Sequence, residues 1–510
     1  MRGIGDFCRM QSFRRLRLAW LHKEFNRSVG IFHPASVQQA LLVVFLGMAA
    51  LAKAQDQPFV HYSERERKDS LLKTVAPPRT LQSFLQQGQF FGHARGYSMY
   101  TDNNAGLTDY HANAVGIGIG YETGIWRGWQ AGISGYAIYH LASSNLTNID
   151  PLSNQPNRYE LGLFNVTDPA NKRELDRLED LNLKYSRKTW SMKLGKQHIR
   201  SPFINPQDGR MRPTLVQGAL FEYQAQKKMV LNAGLINRVS PRSTVRWYTV
   251  GESMGLYGVG VNADGSKSNF KGNLPESVIL YVGLEKDWRI GKLKLWEQRV
   301  TNIFETRLVQ WDGKASVGHT KLFYGVQWIS QRALKEGGNG EASKSYFTQG
   351  GRSNAFGGRL GIQMLKGWKW TVNYTRITAA GRYLMPREWG RDPFYTFMPR
   401  ERNEGYGDVH AANLVLSKPF ASIKGLAVDL SYGRFYLPDV KNYALNKYGF
   451  PAYQQANVDV RYAFGGFWKG LDLQFLVVMK DAINTTYDLP KYEINKVNLV
   501  HLNLILNYHF

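Results

Sequence analysis

One cysteine, Cys8, is all that 510 residues contain, and it stands near the N-terminus. Beyond it the chain has no material for a disulfide, a thiol nucleophile or a lipid-anchored cysteine, a pattern compatible with export. Long apolar runs are equally scarce. The longest, Ala40 to Ala52, is shorter than the roughly 20 residues that a spanning helix needs. Acidic residues are also under-represented, 40 against 65 Lys and Arg, for a net charge of +25. The apolar run follows Arg14, Arg15, Arg17, Lys23 and Arg27 and leads into Ala52-Lys53-Ala54. A basic stretch, a short apolar core and a small-x-small site read as a secretory signal over residues 1–54, cut before Gln55. The long basic leader places the true translation start within the first 39 residues. A short membrane anchor is the alternative. Residues 1–54 carry +6 and leave +19 on the rest. Export, with no basic helix or RNA-binding signature, argues against nucleic acid. Small hydrophilic anions, outer-membrane lipid and lipopolysaccharide suit this charge better.

What the chain has instead is two-residue alternation. Val115, Ile117, Ile119 and Tyr121 alternate with glycines, and Trp190, Met192 and Leu194 with Ser191, Lys193 and Gly195. Trp368, Trp370, Val372 and Tyr374 repeat the pattern, as do Leu471, Leu473, Phe475, Val477 and Met479. Side chains on a strand have period two, so each segment offers one apolar and one small or polar face. A soluble sandwich would join the apolar faces. A barrel in lipid turns them outward around a wet interior.

The turns favour the barrel. Arg127-Gly128, Arg289-Ile290-Gly291, Lys366-Gly367, Lys424-Gly425 and Lys469-Gly470 join strand ends, and glycine supplies the positive φ of tight hairpins. Trp126, Trp129, Trp288, Trp368 and Trp468 lie beside them, where an aromatic girdle meets the membrane surface. Long polar connections over 142–179, 240–275, 332–353, 378–408 and 436–456 fall at the other ends. This sorting predicts an all-β, antiparallel transmembrane barrel with short periplasmic turns and long extracellular loops, in the outer membrane of a Gram-negative bacterium. The segments give eighteen strands, near 90–100, 112–124, 129–141, 180–187, 189–197, 215–225, 229–239, 276–287, 292–300, 302–311, 319–331, 355–365, 367–377, 409–418, 425–435, 457–467, 470–480 and 497–510. The barrel thus occupies 90–510. Residues 55–89 form a periplasmic N-terminal segment with a short helix over Thr80 to Gln87, too short for a globular plug. The last strand ends in Phe510, with Tyr508, Leu506 and Leu504 at alternate positions before it. That is the form of C-terminal signal that the barrel assembly machinery reads.

Between Leu181 and Trp247 the chain reads LNLKYSRKTWSMKLGKQ, then SPFINPQDGRMRPTLVQGALFEY, then LNAGLINRVSPR, and its first strand opens FFGHARGYSMYTDNN. With Asp208-Gly209-Arg210 and Ser240-Pro241-Arg242, these stretches resemble the OprD-like outer-membrane porin family in its Bacteroidetes form, from about Leu81 to Phe510. The resemblance implies an eighteen-stranded monomeric channel for small nutrients, with a basic ladder in the lumen and an inward-folded third loop.

Strand parity supplies candidate pore residues. Lys193, Arg238, Lys294, Arg307, Lys321, Arg359, Lys369 and Arg461 are expected to face the lumen, with the acids Glu305, Asp429, Asp459 and Asp472. A charge facing lipid at mid-depth costs roughly 2–4 kcal/mol, which argues for the inside. Such a row could guide a carboxylate; the alternative is a network of Arg–Glu and Arg–Asp pairs bracing the wall. Arg200, Asp208, Arg210 and Arg212 mark a candidate constriction loop, with an exposed loop as its alternative. His501, Asn503, Asn507 and His509 read as wall residues, and no metal or cofactor is implied. The expected function is passive diffusion of small hydrophilic solutes, with a preference for anionic or carboxylate-bearing ones, by a monomer or a trimer. Two rivals stand beside it. One is a closed-lumen barrel acting in surface binding. The other is an outer-membrane hydrolase using Ser417, His410 and Asp408, although an enzyme is not the expected reading.

Overall fold

The computed structural model describes residues 80–510, apart from positions 208, 209, 226 and 227. The leader expected over 1–54 and residues 55–79 of the expected N-terminal segment lie outside the described residues. Helix α1, Leu81–Gln86, begins at a capping box: the Thr80 hydroxyl accepts from the Ser83 amide, and the Ser83 hydroxyl accepts from the Thr80 amide at 3.0 Å.

Strands occupy the rest of the wall. They are β1 (Gln89–Asp102), β2 (Tyr110–Glu122), β3 (Trp129–Ser143), β4 (Asp176–Ser186), β5 (Trp190–Gln197) and β6 (Leu215–Ala225). Then come β7 (Met229–Ser240), the two-residue β8 (Tyr248–Thr249), β9 (Ile279–Trp288), β10 (Gly291–Val300), β11 (Phe304–Val317) and β12 (Thr320–Ala333). The remainder are β13 (Arg352–Gln363), β14 (Lys369–Ile377), β15 (Val409–Pro419), β16 (Leu426–Tyr436), β17 (Tyr453–Ala463), β18 (Leu471–Ala482) and β19 (Leu499–His509). All eighteen expected strands are present, and β8 is an addition inside a loop. Each wall strand pairs antiparallel with its neighbour in sequence, β7 directly with β9. β1 closes the ring on β19, from His93 opposite His509 to Asp102 opposite Val500. The result is a closed barrel of eighteen antiparallel strands with one extra strand.

Alternation sorts the two faces in the sense opposite to a soluble protein. Val326, Leu360 and Val372 on β12–β14 point outward and are 60, 69 and 56% exposed. Their inward neighbours are polar and buried: Asn373 Nδ2 donates to Asn413 Oδ1 at 2.7 Å, and Gln331 Nε2 to Thr306 Oγ1 at 2.9 Å. An apolar belt of this extent is the surface that hydrocarbon covers, while closure leaves no unpaired sheet edge.

The connections are sorted as expected. On one side they run 123–128, 187–189, 226–228, 289–290, 318–319, 364–368, 420–425 and 464–470; on the other, 144–175, 198–214, 241–278, 334–351, 378–408, 437–452 and 483–498 are long, with 103–109 and 301–303 short. Gly128, Gly367, Gly425 and Gly470 take the positive φ of the short turns. The Arg289-Ile290-Gly291 turn works differently. Gly291 is the first residue of β10, and a Cβ there would meet the Asp312 carbonyl at 2.5 Å and the Trp311 ring at 2.7 Å. Trp129, Trp288, Trp368 and Trp468 stand exposed at this end, as a girdle requires.

The lumen departs from a uniformly wet interior. Toward the long-loop end the inward face carries Ile236, Val239, Ile279, Val300, Ile329 and Ile377. Loop residues pack on them, among them Phe203 and Ile204, Phe270, Phe347, Tyr383 to Met385 and Trp389. Several long loops therefore fold into the barrel and are held there by an apolar core.

If the outward belt faces hydrocarbon, Leu360→Arg at its middle should cost about 2–4 kcal/mol. Denaturant titration of the barrel refolded into lipid vesicles would show the shift, and an unchanged midpoint would place Leu360 outside the bilayer.

Candidate functional site

The 378–408 loop does most to shape the interior. Its apolar residues Tyr383, Leu384, Met385, Trp389, Phe394 and Met398 sit in the core just described. The Trp389 indole nitrogen donates to the Ser253 hydroxyl at 2.9 Å, and Gln331 donates to the Leu384 carbonyl at 2.8 Å. So anchored, the loop holds Arg387, Arg400, Glu401, Arg402 and Glu404 inside the barrel.

Of these, Arg387, Arg400, Glu401 and Arg402 border a cavity of about 880 Å³. Its lining includes the arginines Arg158, Arg210, Arg242, Arg387, Arg400 and Arg402 and the lysines Lys267, Lys447, Lys491 and Lys496, against one carboxylate, Glu401. Two of these cations, Arg158 and Arg387, are tied to acids. Arg158 Nη2 and Lys480 Nζ reach Glu401 Oε2 at 3.1 and 3.2 Å, Lys480 coming from the wall. Arg387 pairs with Glu404 at 2.7 Å, lies 3.9 Å from Glu401 and covers the Tyr448 ring. Others are held by neutral groups. Arg400 Nη2 donates to the Tyr97 hydroxyl at 2.6 Å and to Asn503 Oδ1 at 2.5 Å. Arg402 Nη1 donates to the Arg387 carbonyl at 2.9 Å, and Arg242 Nε to the Tyr257 hydroxyl at 3.3 Å. Among the described residues no carboxylate pairs with Arg242, Arg400 or Arg402.

Electrostatics follow from this crowding. Burial, then repulsion from Arg242 and Arg400, lowers the Arg210 pKa to about 9, so the group remains cationic at neutral pH. Burial depresses Lys447 to about 8 and, with Arg158 beside it, Lys496 to about 7. Glu401 moves the other way from a simple buried acid. Burial would raise it, but Arg158, Lys480 and Arg387 prevail and hold it at about 2.

The 198–214 loop lines part of this cavity and part of a second one of about 470 Å³. Gln207 and Arg210 line the first; Arg200 and Pro206 line the second, with Lys184, Lys193, Glu122 and Glu222. Arg200 and Arg210 thus belong to one loop but line different cavities. Asp208 lies outside the described residues. Arg212 corrects the sequence reading: it lines neither cavity, but is buried, donating to the Leu175 carbonyl of the 144–175 connection.

Of the strand-borne candidates, Lys193, Lys294, Lys321, Arg359, Lys369 and Arg461 point inward, and so do Asp429, Asp459 and Asp472, by the alternation of their strands with exposed neighbours. Several are spent on bracing. Arg461 pairs with Asp429 and, at 3.4 Å, with Asp459; Lys294 lies 3.4 Å from Asp312; Asp472 accepts from Asn507 at 2.8 Å. Arg359 donates to Asn373 at 3.1 Å and stacks over Tyr395.

Three placements overturn the parity reading. Arg238 is exposed between buried Ile236 and Val239, because a bulge between β6 and β7 shifts the register at Gln217/Gly218 and reverses the faces beyond it. Glu305 and Arg307 stand on the outward face of β11, where Thr306, Leu308 and Gln310 face in. They lie one to three residues from the long-loop end of the strand, where a lipid-facing charge costs only about 0–1 kcal/mol. The mid-depth penalty does not reach them.

The vestibule cations Arg158, Arg242, Arg387, Arg400 and Arg402 are absent from a strand-based list because they sit in loops. A signal was present: a connection carrying Tyr383, Leu384, Met385, Trp389, Phe394 and Phe397 is too apolar to be a solvated loop. The hydrolase residues do not meet. His410 faces outward and bonds the Tyr374 hydroxyl at 2.7 Å, Asp408 pairs with Arg376 at 2.5 Å, and Ser417 lies inward near the opposite end of β15. His501 is buried in the wall with Thr101 Oγ1 at 2.7 Å and Glu160 at 3.7 Å.

Solved structures share the architecture. Pseudomonas aeruginosa OccK9 (OpdG) superposes with a TM-score of 0.64 at 18% identity, covering 84% of this chain and 99% of its own. Acinetobacter baumannii OccAB4 gives 0.64 at 15% identity over 83% and 98%. Pseudomonas aeruginosa OpdK, solved with vanillate, gives 0.61 at 14% identity over 84% and 99%. No family model and no curated protein sequence matches the chain. The OprD-like porin fold expected from the sequence is the fold that the structure has.

Glu401→Gln should cost about 3–5 kcal/mol, since it leaves the buried Lys480 and the half-buried Arg158 without their counter-ion. The double variant Glu401→Gln with Lys480→Met should recover part of that loss in the same denaturant titration. The carboxylate's contribution is present above its ordinary value of about 4.5 and is lost as pH falls through about 2. A native chain whose stability is flat between pH 5 and 2 would contradict it.

Proposed function

We propose that this chain is a channel of the Gram-negative outer membrane that passes small hydrophilic anions, carboxylates above all, by passive diffusion. One observation carries the reading: a vestibule bordered by six arginines and four lysines against one glutamate, in which Arg242, Arg400 and Arg402 have no carboxylate partner among the described residues. Cations held by neutral hydroxyls and carbonyls are positioned for an anion without being neutralised in advance. The outward apolar belt and the tryptophan girdle support a bilayer setting. The vanillate in the OpdK structure is a small aromatic carboxylate, the class of solute that this vestibule suits. The 198–214 loop, which lines the two cavities through Arg210 and Arg200, is the proposed constriction. The strand ending Leu504, Leu506, Tyr508 and Phe510 is the proposed assembly signal.

A closed-lumen barrel acting at the surface is the second reading, and one observation favours it: the apolar core of inward-folded loops fills part of the lumen. Conductance separates the two. In planar bilayers under a salt gradient, the channel reading expects discrete steps with a reversal potential on the anion side. Cation preference would leave a pore and discard the anionic solute, whereas a folded barrel without steps would favour the closed lumen.

Arg242→Gln with Arg402→Gln should lower the anion-to-cation permeability ratio several-fold while the barrel stays folded. The pH dependence has a defined sign. Between pH 6 and 9 Lys496 and Lys447 lose their protons, at about 7 and about 8, so anion preference should decline as pH rises. A ratio that is constant or rising over that range would remove these lysines from the permeation path.

A further inference from the structure

Arginines also occupy the outside of the barrel, where the channel has no use for them. Arg299, Glu305, Arg332 and Arg352 lie opposite one another on β10, β11, β12 and β13, a single row across the outer face. Adjacent strands are about 4.8 Å apart, so the row spans about 15 Å. Arg307 and Glu297, paired across β10 and β11, sit next below it. Glu305 is the pivot. Arg299 and Arg307 reach its carboxylate at 3.0 Å and Arg332 at 2.6 Å, and its side chain is 2% exposed while theirs are 46, 49 and 58% exposed. One covered carboxylate thus fixes three guanidiniums whose outer edges remain open. The patch holds four arginines and two glutamates.

We propose that this outward rim is a docking surface for the phosphate groups of an outer-leaflet glycolipid, lipopolysaccharide, gripped by Arg299, Arg307, Arg332 and Arg352. Planar guanidinium forks match phosphate oxygens, and their mutual spacing is already set by Glu305. The surface beneath fits the rest of such a molecule. Val309, Val326, Trp328 and Phe356 are outward and exposed just below the row, where acyl chains would lie under a phosphorylated headgroup. An acidic protein would match the charge but not this apolar continuation. The patch is also one-sided. Arg434, and Arg376 with its partner Asp408, continue it along the long-loop ends of β16 and β14, whereas the outward positions at that level on β18, β1 and β2 are Asp481, Asp102 and His111. Lipopolysaccharide is therefore held along the arc from β10 to β16.

The inference rests on the outer-membrane setting and not on what crosses the lumen. The test uses the folded barrel in phosphatidylcholine vesicles doped with diphosphoryl lipid A or with the same lipid A stripped of its phosphates, followed by mass-spectrometric counting of lipid A retained per barrel. The native chain is expected to retain the diphosphoryl form about tenfold over the stripped form, and millimolar inorganic phosphate should not displace it. Arg332→Gln with Arg352→Gln should lower retention about fivefold or more and leave single-channel conductance unchanged. Equal retention of the two lipids, displacement by inorganic phosphate, or full retention by the variant would each overturn the proposal. Should the double variant fail to fold, Arg352→Gln alone and the comparison of the two lipids on the native chain decide. Retention without conductance would sink the channel and spare the lipid site; conductance with equal retention would do the reverse.

Discussion

Closure of the strand ring is the constraint on which the other features depend. Because β1 hydrogen-bonds to β19 along ten residues, the sheet has no free edge, and the wall can stand in a medium that offers no hydrogen bonds. From that point the two faces obey different solvents. Outside, Val326, Leu360 and Val372 can be exposed without a partner because lipid is the partner. Inside, every polar residue that alternation places at the wall needs a companion, and Asn373, Asn413, Gln327 and Gln331 find theirs in one another and in backbone carbonyls of the 378–408 loop. The loop is thus bound twice, by hydrogen bonds to the polar wall and by apolar packing near the rim.

That second attachment explains how a charged loop can remain inside a barrel. Taking Arg387, Glu401 and Glu404 out of water is costly, and their mutual pairing offsets the cost only in part. Burial of Trp389, Tyr383, Phe394 and Met398 against Ile279, Phe304 and Ile377 supplies a favourable term of the other kind, roughly 1.5–3 kcal/mol for each large side chain. Positioning the vestibule cations is therefore the work of an apolar core placed where a porin wall would ordinarily be polar. The same core narrows the lumen, so the placing of the cations and the narrowing arise from one arrangement.

How far the sequence discloses this depends on which physical rule governs each residue. Strict alternation under lipid on one side and polar contact on the other made the strands legible, and tight turns with Gly128, Gly367, Gly425 and Gly470 marked the short end. Parity fails wherever an extra residue enters. One bulge between Gln217 and Gly218 reverses Arg238, and nothing in its local composition announces it. For Arg307 and Glu305 the rule itself was extended too far. The penalty for a lipid-facing charge belongs to mid-depth, and depth is set by where β10 and β11 join, through only three residues, 301–303. The vestibule was the least legible part, because its arginines come from four loops that meet only after folding: Arg158 from 144–175, Arg210 from 198–214, Arg242 from 241–278, and three from 378–408.

One residue type does three jobs in this barrel, and solvent access together with partner count separates them. Arg461, half-buried between Asp429 and Asp459, has its charge matched by acids on its own and the neighbouring strand and serves the wall. Arg332 and its neighbours are anchored from below by Glu305 yet open to the surroundings, so their charge is positioned but incompletely offset. Arg242 and Arg402 are buried and Arg400 is half-buried, and they are held by Tyr257, the Arg387 carbonyl, Tyr97 and Asn503, none of which carries compensating charge. Burial without a counter-ion is the costliest of the three states, and a fold sustains it only where the surrounding core supplies the difference. The apolar packing of the 378–408 loop is that supply, which is why the most apolar stretch of the lumen lies beside its most cationic one.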